Sequence, residues 1–491
     1  MAQLFKLCRW FATVLAAILL TIYFVAAFGA RRMLPMGDEH RITFEHEFQA
    51  RDEHRTDWSE YLAIEERLAI ELEEKIDGEA RPDSLFDRYS DDSLSYPANL
   101  PSNWNRSYEL TVPSPRGVAV MLHGLSDSPY SMLSTAQALA GAGYNVVVPR
   151  MPGHGFAVGG LVEARREDWT AAVRIAVRHA TSRPGGDRSL LLVGYSNGAL
   201  LALDFALRCE EFDELPCPDA LVLMSPAIAV NPLAFVMNLH SLVSGFPYFE
   251  NFRYMSVLPE VDPFKFTSFP KRSAWEIYRI SRRMHKALAM PARAAALPPV
   301  LTFQSLVDNT VSTPAVKTIL YDRLPENGSE LVVYDVNRHD SVVHLMRNAP
   351  IDPSAYFTHL SPLDFGVTVI RNRARSGMEV DSFTLEAGAR EGSVQELSLR
   401  WPPGVFSLSH IAIPFRSDDM VYGDGSSVPA GAPVVRLGAA APRGESGVLT
   451  LAPHYFLRAR HNPFSAFQER RIVEWLRGLA EAPEPDAATD Q

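Results

Sequence analysis

The sequence predicts an α/β fold, a largely parallel sheet covered by helices on both faces. From residue 105 onward, short apolar runs alternate with helical stretches, the order that builds such sheets. In residues 190–208 (LLLVGYSNGALLALDFALR) an apolar run breaks at GYSNG into a helical pattern carrying Leu200, Leu201, Leu203, Phe205 and Leu207. The polar, glycine-marked motifs also follow the apolar runs, and parallel sheets bind ligands outside the carboxyl ends of their strands.

Residues 10–28 (WFATVLAAILLTIYFVAAF) carry no charge, with Lys6 and Arg9 before them and Arg31 and Arg32 after. As a helix this run is about 28 Å long, close to a bilayer core, so residues 1–35 read as an N-terminal transmembrane anchor. The competing reading is a cleaved signal peptide, since Ala26, Ala27, Gly29 and Ala30 offer small residues for processing. The length of the run favours the anchor, and either reading sends the rest of the chain to the periplasm or the cell exterior.

Residues 36–104 are polar and acidic, a helical linker with one clear helix. Trp58, Tyr61, Leu62, Leu68, Leu72 and Ile76 share a face that packs on the main domain, Asp57 caps the start and Gly78 ends it. Residues 105–225 form the first part of the core: strands at 108–112, 118–122, 144–148 and 220–224, helices at 132–142 and 166–180, and the strand and helix around Ser196. Residues 226–297 interrupt the alternation with aromatics, Phe235, Phe246, Tyr248, Phe249, Phe252, Tyr254, Phe264, Phe266 and Phe269. They read as a helical cap whose aromatics fill its interior, with an acyl-binding pocket as the alternative. The core resumes over 298–347 with strands at 300–306 and 330–336 and a helix around 314–324. A β-rich insertion occupies 348–450, then a closing region 451–481 with its helix at 464–479 and an acidic tail at 482–491.

Composition narrows the function classes. The 491 residues are 47% hydrophobic and 21% charged, with a net charge of -11. That balance argues against a nucleic-acid binder, which needs a basic surface. Cys8, Cys209 and Cys217 form no CxxC, so no structural zinc site is expected. Cys209 and Cys217 read equally well as a disulfide or as two free thiols.

The turn at Ser196 suits a nucleophile. A serine where a strand breaks into a helix exposes its hydroxyl above the sheet, and Gly194 and Gly198 let helix and strand cross closely. Its hydroxyl needs a base, and the base an orienting acid, in the chain order Ser, Asp or Glu, His. Asp308, in SLVDNTV, comes after a strand where a carboxylate would meet the histidine, although an Asp there can also cap the next helix. Three histidines compete as base: His339, three residues beyond ELVVYDV, His410 in VFSLSHIAIPF, and His461 in RARHNPF. Spacing alone favours His339. An oxyanion hole requires two backbone N–H groups. Asn197, directly after Ser196, supplies one, and Leu125 in HGLSDSP supplies the other. His123 and His154, the latter in MPGHG, read as braces for those loops.

Taken together, VAVMLHGLSDSPYSM, VVVPRMPGHG, VGYSNGA and SLVDNTV resemble the α/β-hydrolase superfamily in its serine aminopeptidase and monoacylglycerol lipase-like branch, over residues 116–345 plus the last helix. The anchor, NWNRSYEL and SLSHIAIPF...DDMVYG are similar to bacterial membrane-anchored hydrolases. That resemblance implies His410 as the base and a Ser196–His410–Asp308 triad cleaving carboxylic esters through an acyl-enzyme, with no metal or organic cofactor. The aromatic cap and the adjacent bilayer point to a lipid-like or apolar ester. Two alternatives remain: an aminopeptidase, for which Asp127 would hold the substrate amine, and a catalytically silent membrane-anchored binding module.

Overall fold

In the computed structural model the described residues are 2–30, 33–76, 85–100, 102–185, 188–212, 214–229, 247–308, 310–343, 346, 351–428, 435–438 and 460–481, the side chains at 2, 4, 22, 25–27, 29, 30 and 247–249 excepted. Twelve strands are present among them: β1 (Tyr108–Leu110), β2 (Gly117–Leu122), β3 (Tyr144–Val148), β4 (Leu190–Tyr195), β5 (Ala220–Met224), β6 (Tyr254–Ser256), β7 (Phe269–Pro270), β8 (Val300–Ser305), β9 (Glu330–Tyr334), β10 (Gly366–Asn372), β11 (Glu379–Leu385) and β12 (Ser393–Arg400). Ten of them make one sheet in the order β1-β3-β2-β4-β5-β8-β9-β10-β11-β12, while β6 and β7 pair separately. From β3 through β10 every neighbouring pair is parallel. β1, β11 and β12 are antiparallel additions at the two edges.

The central strands are apolar at nearly every position because both faces are covered. In β2, Val118, Val120 and Leu122 enter one core layer and Ala119 and Met121 the other, and β4 divides its residues in the same way. The first layer is closed by α4 (Arg166–Thr181), α5 (Asn197–Ala206) and α6 (Lys271–Leu288). The second is closed by α3 (Leu133–Gly141) and α8 (Ser465–Glu481). Arg283 of α6 holds the buried Asp204 of α5 with two hydrogen bonds, at 2.8 and 2.5 Å.

The segments flanking the core are built into it. In α2 (Trp58–Lys75), capped by the Asp57 carboxylate on the Glu60 N–H at 2.8 Å, Trp58, Tyr61, Ile64 and Leu68 are buried against the first layer. Gly78, expected to end this helix, lies outside the described residues. Residues 85–100, expected to be linker, are packed instead: Arg88 is buried and donates to the Gly155 carbonyl at 2.8 Å, and Ser95 donates to the Val261 carbonyl at 2.7 Å. The sequence there lacks an apolar period because polar side chains make the contacts. Residues 366–400, within the β-rich insertion expected over 348–450, supply β10 to β12 of the main sheet. α7 (Pro353–Leu360) precedes them.

The aromatic segment after β5 is described from residue 247. Phe252, Tyr254, Phe264 and Phe266 are buried, and the Phe264 ring stacks on Tyr130 at 3.9 Å, so these rings act as packing. Phe235 and Phe246 lie outside the described residues. Cys209 and Cys217 form a disulfide. At the N-terminus α1 (Ala2–Ala30) is a single helix, with Tyr23 edge-on to Phe252. Among the described residues no helix is long and apolar enough to cross a membrane, so the expected transmembrane helix is not shown.

Candidate active site

Ser196 occupies the break between β4 and α5 with φ 53° and ψ -111°, a conformation costly for any residue with a side chain. Neighbouring contacts hold it there. Its N–H donates to the Met224 carbonyl at 2.9 Å and its carbonyl accepts from the Ala227 N–H at 3.1 Å. The two glycines are required by the crossing of strand and helix. A Cβ on Gly198 would lie 1.9 Å from the Leu122 carbonyl oxygen, and one on Gly194 would lie 2.4 Å from Ala199.

His410 and Asp308 come together with this serine. The His410 Nε2 stands 3.0 Å from Ser196 Oγ, and its Nδ1 stands 2.8 Å from Asp308 Oδ2. The side chains of His410 and Asp308 are 8% and 0% exposed, so water competes little for either bond. Burial raises the Asp308 pKa, but the His410 ring and the Val311 and Thr310 N–H groups outweigh it and leave the carboxyl below its ordinary value. An ionised carboxylate only accepts. His410 Nδ1 therefore carries the proton, and Nε2 is left to accept the Ser196 hydroxyl. Asp308 does not cap the next helix, which Ser312 caps; its Oδ1 instead accepts from the Thr310 and Val311 N–H groups of the preceding turn at 2.8 and 3.1 Å.

The loop that carries His410 returns from β12 and is fastened at four points. Asn337 donates to the Val405 carbonyl at 2.9 Å through its amide and to the Phe406 carbonyl at 2.7 Å through its backbone. Ser305 donates to the Leu408 carbonyl at 2.9 Å, and the Tyr195 hydroxyl reaches the His410 carbonyl at 3.4 Å. His339, favoured by spacing, is half-buried and bonded to Ser341 Oγ at 2.7 Å, outside this cluster. His461 faces the Tyr422 carbonyl at 3.3 Å.

Asn197 is the first residue of α5, so its N–H has no acceptor within the helix. Leu125 lies after β2 on a loop whose next residue, Ser126, has φ 62°. His123 braces that loop against the turn after β3. Its Nδ1 bonds the Gly124 carbonyl and its Nε2 the Met151 N–H, both at 2.9 Å. Burial holds its pKa down to about 3, so the ring stays neutral with Nε2 as acceptor. His154, its pKa also lowered by burial, bonds the Met151 and Pro152 carbonyls of the same turn through Nδ1. Asp127, the carboxylate considered for a substrate amine, is committed to Lys265 Nζ at 2.8 Å.

Three supporting groups escaped the sequence reading. Gln304 Nε2 donates to Asp308 Oδ2 at 3.1 Å; a glutamine inside the apolar run VLTFQS was the available signal. The fully buried Arg150 pairs with Glu47 at 2.8 Å and Glu65 at 3.3 Å, and an arginine just past the buried strand YNVVV, after Pro149, marked it. Lys265 had no local signal. Among the described residues no group of His, Cys, Asp and Glu could hold a metal ion.

A parallel sheet with a serine on the strand-to-helix turn, and Asp308 and His410 gathered at the carboxyl ends of the strands, defines an α/β-hydrolase. Residues 113–344 match the family model "Serine aminopeptidase, S33". Over 92 residues the chain is 34% identical to the thermostable monoacylglycerol lipase of Bacillus sp. (strain H-257), a stretch covering 19% of this chain and 35% of that protein. The chain thus matches about a third of that relative's length. Similar solved structures include the monoacylglycerol lipase of Paleococcus ferrophilus, with a TM-score of 0.35 and 20% identity over 47% of this chain and 87% of that one. Another is a soluble variant of the monoglyceride lipase of Saccharomyces cerevisiae, with a TM-score of 0.38 and 15% identity over 47% and 82%.

Proposed function

We propose that the protein hydrolyses carboxylic esters through an acyl-enzyme on Ser196. The observation that carries this reading is the continuous chain of hydrogen bonds from Ser196 Oγ through His410 to Asp308. His410 takes the serine proton as the hydroxyl attacks the acyl carbonyl and returns it to the leaving alcohol. Asp308 holds the imidazole in the required tautomer and stabilises the imidazolium. The N–H groups of Leu125 and Asn197 bind the oxyanion, and water then releases the acid by the same route in reverse. The substrate is an apolar, lipid-like ester, a reading supported by the relationship to monoacylglycerol lipases. Peptidase action on a free amine is disfavoured because Asp127 already has a cation.

The protein is further proposed to be attached to a membrane through α1 and exported. Supporting this are the exposed Phe5, Trp10, Phe11, Leu19, Leu20, Phe24 and Phe28 on α1, an apolar surface costly in water, and a disulfide typical of oxidising compartments. Alkaline carbonate extraction tests the attachment: full-length protein stays with the membrane and a variant lacking residues 1–35 is released.

The catalytic reading is tested by fluorophosphonate labelling of wild type, Ser196→Ala, His410→Ala and His339→Ala. Labelling is expected in wild type and His339→Ala and lost in the other two. An unlabelled wild type would instead favour a silent binding module.

A further inference from the structure

The loop that carries Leu125 is buried beneath two distant segments of the chain. Phe266 donates to the Ser126 carbonyl at 2.7 Å, and Tyr130 donates to Asp419 at 2.9 Å. Tyr422, beside Asp419, reaches across to the buried Asp262 at 2.5 Å. Within this enclosure lies Asp127, its side chain 4% exposed. Its carboxylate lies against Gly124, where an added Cβ would meet Asp127 Oδ2 at 2.6 Å, and so against the residue whose peptide carries the Leu125 N–H. A negative charge there opposes the reaction, because the oxyanion must develop beside the same peptide and little water intervenes to screen the two. Lys265 Nζ, 2.8 Å from Asp127 Oδ1, balances that charge.

We infer that Lys265 is a positioning residue for ester hydrolysis: its ammonium neutralises Asp127 and fixes the Leu125–Asp127 loop so that the Leu125 N–H is free for the oxyanion. The inference rests on the hydrolase reading and adds to it a group about 70 residues beyond the nucleophile, on a segment outside the parallel sheet. The charged and titratable groups acting on Asp127 come from several elements. Lys265 and Asp262 lie on the segment before β7, His410 and Tyr422 on the returning loops, and Tyr195 at the end of β4. Burial already raises the Asp127 pKa against the opposing pull of Lys265, so losing the lysine raises it further.

The test uses full-length protein and p-nitrophenyl butyrate, comparing wild type, Lys265→Arg, Lys265→Met, Asp127→Asn and the double variant. Lys265→Met is expected to lose about 30-fold or more in kcat with KM within about 3-fold, on the scale of removing one oxyanion donor. Lys265→Arg recovers most of that loss. The rate of Lys265→Met relative to wild type rises toward acid, where protonation removes the Asp127 charge, whereas the same ratio for the double variant is flat. Should Lys265→Met fail to fold, the double variant is read against Asp127→Asn, and adding Lys265→Met there is expected to change kcat less than about 3-fold. A Lys265→Met enzyme as fast as wild type, a ratio insensitive to pH, or a double variant much slower than Asp127→Asn overturns the inference. Fluorophosphonate labelling of wild type separates the two levels: a labelled wild type with any of those results leaves the hydrolase reading standing, and an unlabelled wild type removes both.

Discussion

Two loops at the carboxyl end of the sheet carry a histidine that could serve as base, His339 and His410, and only one brings it to Ser196. The loop after β9 bears His339 within five residues of the strand end, yet it turns aside. Buried Asp335 grips Arg338 at 2.5 Å, and His339 is left facing Ser341 and solvent. The loop after β12 bears His410, 102 residues from Asp308, and is held by hydrogen bonds from Ser305, Asn337 and Tyr195. The difference originates in the strand that adds beside β9. β10 pairs with it in parallel, so the chain must leave the site, run through β10 to β12 and return before a histidine can be placed. Proximity in sequence is thus a weak guide to which loop closes a site, and the hydrogen bonds holding a loop are a strong one.

The comparison is broken most directly by removing chemistry from one loop and not the other. Ser196→Ala should lower kcat on the order of 10⁶-fold and His410→Ala comparably, while His339→Ala stays within about 2-fold of wild type in steady-state hydrolysis. Equal losses from the two histidines would undo the distinction. Asp308→Asn should cost about 10⁴-fold in kcat, because the amide favours the wrong tautomer of His410.

The folded Asp308 carboxyl is held below its ordinary value of 3.8. Its stabilising contribution is therefore complete above that value and lost as pH falls through the lower folded one. Acid unfolding of Asp308→Asn, monitored by circular dichroism, should show less steepening below about pH 4 than wild type.

Stability tests sharpen the contrast between tethers. Arg150→Met leaves Glu47 and Glu65 without their buried cation and should cost about 3–5 kcal/mol in urea unfolding, far more than a surface ion pair such as Arg67–Glu60. The smallest effect is expected from Cys209→Ser with Cys217→Ser, about 2–3 kcal/mol for a closed loop this short and without change in kcat, since the bridge joins the end of α5 to β5 on the side away from Ser196.

What the sequence determined by itself is local. The strand, the turn at Ser196 and the helix after it are one continuous stretch in which apolar period and glycine placement act together, and Asp308 lies three residues beyond the end of its own strand. Both could be read because the forces that shape them operate between near neighbours. The packing of residues 85–100 was invisible because their polar side chains bond distant partners and leave no period. The same holds for the joining of β10 to β12 to the main sheet, which depends on Val367 and Val369 finding Leu331 and Val333 some 36 residues away. Which histidine meets Asp308, and which cation meets Asp127, depend on where segments more than a hundred residues apart come to rest. Only the tertiary structure decides that, because a single charge or ring carries no mark of its partner until burial removes water and leaves one partner within reach.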